Sequence, residues 1–153
     1  MKKLLCLCAA IALFGFNDVK AQDYEIAVGL GLDFGSGFTF VGPSGKFALS
    51  DVVTVQGELM FESGVTGLTG LIAYNGSFDG AEGLSWFAGG GVSALFFGNG
   101  FGTEFALRPT AGLEYKIADV PLAFSFDWRP FIGLGDINNE IGAFGLGVRY
   151  VIQ

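Results

Sequence analysis

The sequence of 153 residues has no histidine, only two cysteines and four prolines, and just eight Lys and Arg against fifteen Asp and Glu. Each shortage excludes something. Without His, the commonest general base and the commonest metal ligand are missing. Eight basic residues cannot supply the cationic face that phosphate neutralisation needs, so nucleic-acid binding is not expected. What is present is 51% hydrophobic residues with 26 Gly and 17 Phe, and only 15% charged residues. A mean hydropathy of +0.54 excludes a disordered chain. So much Gly and Phe does not suit a soluble helical protein either. The length allows one modest domain.

The N-terminus reads Met1-Lys2-Lys3, an apolar run from Leu4 to Phe16, and a polar stretch ending Val19-Lys20-Ala21. This is the layout of a secretory signal cleaved after Ala21, and the apolar run is too short to span a bilayer as a helix. Cys6 and Cys8 both fall inside it, so the expected mature chain has no thiol. Lipid attachment at either Cys is disfavoured, because no small residue precedes them. Cleavage would leave residues 22–153 with 5 basic and 14 acidic residues, a net charge of −9. No remaining apolar run has the length of a transmembrane helix.

The hydrophobicity is instead distributed with period two. Tyr24, Ile26, Val28, Leu30, Leu32 and Phe34 alternate with Glu25, Ala27, Gly29, Gly31 and Asp33. Similar alternation runs through Phe105–Tyr115, Leu122–Arg129 and Phe144–Ile152. Weaker forms occupy 53–61 and 84–96, and the segment 66–74 reads as a strand whose faces are not distinguished. In 38–49 the apolar parity changes across Gly42-Pro43-Ser44-Gly45, from Phe38 and Phe40 to Phe47 and Leu49, which predicts a bulge. Turn residues separate the segments at Gly35-Ser36-Gly37, Ser50-Asp51, Ser63-Gly64, Asn75-Gly76, Gly98-Asn99-Gly100, Ala118-Asp119 and Asn138-Asn139. Pro109 removes a donor in mid-strand and predicts a local bulge or a shifted strand boundary.

The expected fold is all-β: an eight-stranded antiparallel transmembrane β-barrel with up-and-down meander order. Volume decides which face points outward. An eight-stranded lumen is just wide enough for side chains to fill, and the Phe-rich and Leu-rich faces would overfill it. The face rich in Gly, Ala, Ser and a few charges fits inside. Closure also satisfies every backbone group in lipid. Tyr24, Tyr115 and Tyr150 are expected as interfacial aromatics near strand ends.

The stretch Gly145–Ile152 resembles the assembly signal at the last strand of bacterial outer-membrane barrels, with Gly147, Tyr150 and Ile152 fitting and Gln153 in place of a final aromatic. Segments 81–90, 112–115 and 121–130 likewise resemble small outer-membrane β-barrel proteins of the Bacteroidetes type, with OmpA/OmpX-like barrel architecture. The resemblance implies a location in the outer membrane, contact with its lipids and insertion by the barrel-assembly machinery through the C-terminal strand. It implies no activity.

Small barrels that act as enzymes resemble one another in using a His, and this chain has none, so no catalytic residue, cofactor or metal site is expected. The inward face is expected to carry the acids Glu25, Asp33, Glu58, Glu114 and Asp127 and the bases Arg108, Arg129 and Arg149. Arg opposite carboxylates in a narrow lumen suits bidentate pairing, which reads as a salt-bridged plug in a monomer with a structural or surface role. The alternatives are a narrow channel for ions or small solutes, and a soluble periplasmic ligand-binding barrel. With termini on the periplasmic side, the outward turns would be 35–37, 63–65, 97–103 and 132–140.

Overall fold

The computed structural model describes residues 24–98, 100 and 102–152; the expected signal segment 1–21, with Cys6 and Cys8, lies outside the described residues, as do Asn99, Phe101 and Gln153. Ten strands follow one another: β1 (Ile26–Gly35), β2 (Phe38–Ala48), β3 (Val53–Glu62), β4 (Val65–Ser77), β5 (Leu84–Phe97), β6 (Gly102–Leu107), β7 (Thr110–Lys116), β8 (Leu122–Trp128), β9 (Ile132–Gly133) and β10 (Phe144–Ile152). All pairings are antiparallel, and β1 pairs with both β2 and β10. β6 and β7 both lie on β5, while β9 continues β8 along the next position. The wall therefore has eight strands, two of them interrupted, in a closed meander.

Alternation assigns the faces. Along β10, Gly145, Gly147, Arg149 and Val151 are buried, while Leu146, Val148, Tyr150 and Ile152 are exposed. The same division holds on every wall strand, and among the described residues each charge within a strand has the inward parity. The outward surface is apolar, with Leu30 61%, Leu68 53% and Ile72 54% exposed. Outward aromatics gather towards the two ends. Tyr74, Trp86, Tyr115 and Tyr150 stand nearer the end where β1 starts and β10 finishes. Phe34, Phe144 and Phe126 stack towards the other, at centroid distances of 6.1 and 5.7 Å.

Two sequence expectations change, and a third is decided between its alternatives. The bulge predicted at 42–45 does not exist: β2 keeps one register against β1 from Phe38 to Phe47, and one against β3 from Val41 to Ala48. The parity change arises because Phe40 is buried in the lumen and Phe38 packs against the same interior cluster. Asn75-Gly76 is not a turn; β4 continues to Ser77, and buried Asn75 bonds Thr54 Oγ1 at 3.0 Å. Of the two alternatives at Pro109, the strand boundary is the one found: β6 ends at Leu107 and β7 begins at Thr110, without a bulge. The register against β5 is the same on both sides of it, and Arg108 N and O exchange bonds of 2.9 and 3.0 Å with Gly91. In β4, whose faces the sequence did not distinguish, Gly67, Thr69, Leu71, Ala73 and Asn75 face inward.

The lumen also departs from a lining of small and charged residues alone. At the end away from the start of β1, Phe40, Met60, Leu95, Ala106, Phe131 and Ala143 form an apolar cluster, with Phe38, Val65, Phe97 and Ile137 packed against it. Towards the start of β1, Tyr24, Ala27, Ala123 and Val151 form a second. The charges lie between these layers.

Candidate functional site

The interior charges form one connected network built around Arg129, just past β8. Its guanidinium makes a bidentate pair with Asp127, Nε to Oδ2 at 2.6 Å and Nη2 to Oδ1 at 2.9 Å. Its Nη1 meets Glu58 from β3 and, at 3.1 Å, Asp33 Oδ1 from β1. The planar guanidinium fork suits three carboxylates at once better than an ammonium would. Thr110 Oγ1 donates to Asp127 Oδ2 at 2.7 Å, so that carboxylate is held from both sides.

Arg108 extends the network towards the apolar cluster. Its Nη2 donates to Asp33 Oδ2 at 2.9 Å and to the Arg129 carbonyl at 3.2 Å, and Nη1 donates to Ser93 at 3.1 Å. The Phe131 ring lies 3.5 Å from the guanidinium carbon, close enough for a cation–π contact. Arg149 extends the network the other way. It donates to Ser44 at 2.9 and 3.1 Å and to Ser125 at 2.9 Å, and lies 3.6 Å from Glu58 and 3.7 Å from Glu114. Inward glycines make this packing possible. A Cβ at Gly147 would stand 2.4 Å from Ser125 Oγ and 2.6 Å from Arg149 Nη1, and one at Gly145 would stand 2.8 Å from the Arg129 guanidinium.

A base absent from the sequence expectation completes the set. Lys46 is 2% exposed, and its Nζ lies 3.0 Å from Glu114 Oε2 and 5.1 Å from the Phe87 ring centroid. The signal was the parity of β2: without the supposed bulge, Lys46 shares a face with Ser44. Glu25, expected inside, is exposed before β1 begins, where its carbonyl accepts from Ala48 N at 2.8 Å. Tyr24, expected at an interface, is 6% exposed and donates its hydroxyl to Glu114. Both exchanges have one cause: strand alternation does not extend to residues preceding β1. Tyr115 and Tyr150 do face outward, 45% and 55% exposed, as does Ile152 at 44%.

Among the described residues the buried charges are thus Asp33, Glu58, Glu114 and Asp127 against Lys46, Arg108, Arg129 and Arg149, four of each sign. The other described acids, among them Asp51, Asp79, Asp119 and Asp136, lie outside this interior set, at strand ends and in turns. A balanced, hydrogen-bonded network in a narrow interior fixes which strand faces which, because leaving one partner alone costs far more than the pair contributes. Comparison with protein-family models finds no match for this chain, and comparison with curated proteins finds none either.

Proposed function

We propose that the chain is an integral outer-membrane β-barrel with a plugged, salt-bridged lumen, serving a structural or surface role without catalysis. One observation carries this reading: the outward parity of every wall strand is free of charge among the described residues, while the charges are packed inside. In water that arrangement exposes a continuous apolar surface far beyond what a soluble monomer carries. In a bilayer it places hydrocarbon against hydrocarbon and leaves no unpaired strand edge. The aromatics towards both ends of the wall support the same orientation, as interfacial residues.

Two measurements test the reading together. The protein should sediment with outer membranes after a high-salt wash and be released only by detergent; recovery in the soluble periplasmic fraction would make it a soluble barrel. Reconstituted in planar bilayers, the wild type should be electrically silent, because paired charges and apolar clusters occupy the lumen. A steady conductance would replace the plug with a narrow channel.

A further inference from the structure

Among the described residues, one rung of the wall lacks both of its donors, whereas Pro43 removes a single donor from the β2–β3 ladder. Pro109 and Pro130 stand opposite each other, as the unchanged register from Ala111↔Trp128 to Leu107↔Ile132 requires. In an antiparallel ladder, successive residues bond to alternate neighbours. Arg108 spends its N–H and carbonyl on Gly91 in β5, and Arg129 N bonds Ala143 O at 2.9 Å on the β10 side. Pro109 and Pro130 therefore occupy the positions that should bond to each other. Neither has an N–H, so one rung loses both its hydrogen bonds. Beyond the gap the strands re-pair only briefly, through Leu107↔Ile132, Ala106↔Gly133 and the Leu134 N to Phe105 O bond of 2.9 Å.

Each proline directly follows one of the interior arginines, and Arg108 bridges the defect from inside. Its Nη2 reaches the Arg129 carbonyl on the facing strand, and Phe131 lies over the same guanidinium. Its Nε has no hydrogen-bond partner, so the group is not locked on all sides. We infer that the closed wall is built to open sideways at this seam, with the Arg108 side chain as its latch. Release of the latch joins the lumen to the outside of the wall beside Arg108 and Arg129, and leaves the continuously paired β3–β4 and β4–β5 interfaces shut. The inference rests on the barrel alone and holds whether or not the barrel spans a membrane.

Amide hydrogen exchange on the full chain, read residue by residue, tests it. Leu107, Ala111, Trp128 and Ile132, whose amides flank the missing rung, should exchange at least about tenfold faster than the interior amides of the β3–β4 and β4–β5 interfaces. Pro109→Val with Pro130→Val restores the two donors and should slow exchange at these four positions selectively. Arg108→Met should speed it there first. Protection at the four positions equal to that of β3–β4 would overturn the inference, as would a folded double-valine variant with unchanged exchange. If the double variant fails to fold, the wild-type pattern decides alone.

Discussion

Lys46 Nζ lies 3.0 Å from Glu114 Oε2, joining β2 to β7 through the lumen, and both side chains are almost fully shielded from solvent. Removing the ammonium takes the nearest cation from a buried carboxylate that Arg149, at 3.7 Å, and the Tyr24 hydroxyl also approach. Lys46→Met should therefore cost about 3 kcal/mol, as breaking one partner of a buried pair does. Glu25→Gln, on an exposed residue, should leave stability unchanged. Urea unfolding in detergent, followed by heat-modifiable gel migration, reads both. Equal effects would mean that Lys46 is not part of the interior network.

Glycines on the two faces should respond oppositely. A Cβ at Gly147 collides with the Arg149 guanidinium and Ser125, whereas one at Gly57, on the outward face, meets nothing within 4 Å. Gly147→Ala should destabilise the barrel. Gly57→Ala should stabilise it by up to about 0.5–1 kcal/mol through lower chain entropy in the unfolded state. The midpoints of the same unfolding curves check the signs.

Phe131 roofs the charge network, and its truncation separates the two layers of the plug. Phe131→Ala should cost about 3–5 kcal/mol, the usual loss for a buried aromatic. Bilayer conductance should nevertheless stay silent, because Arg108, Arg129 and their carboxylates still fill the lumen below. Channel openings in this variant would mean that the apolar cluster alone seals the barrel.

The division between faces was legible in the sequence because period two needs no tertiary information. It failed where a large apolar residue points inward. Phe40 and Phe38 mimic a parity change, and that apparent bulge hid Lys46 from the interior set. The alternation was also carried too far at one end, exchanging Tyr24 with Glu25, since strand geometry begins only at Ile26. Asn75-Gly76 has turn chemistry, yet Asn75 uses its amide to bond Thr54 and the Val52 and Ala73 carbonyls within the barrel. Pro109 was visible as a defect, but its partner could not be recognised until the register set Pro130 opposite it.

An arginine on the outward wall distinguishes the two solvents. Leu30→Arg should cost about 2–4 kcal/mol in a bilayer, where the charge enters hydrocarbon near mid-height. In a water-facing wall the same change would be close to neutral. Leu49→Arg, in an exposed turn, should be tolerated in either case. Refolding equilibria into lipid vesicles provide the comparison.

The most direct test of the membrane-facing wall is spin-label accessibility in vesicles. Cys6 and Cys8 are replaced by Ser, and single labels are placed at Leu30, Leu59, Leu68, Leu113 and Leu146, with Leu49 and Val120 as turn controls. All seven positions are exposed. A membrane-facing wall requires that the five wall labels collide with oxygen far more than with a water-soluble nickel chelate, and that the two turn labels do the reverse. Wall labels that are more accessible to the nickel reagent than to oxygen would contradict it.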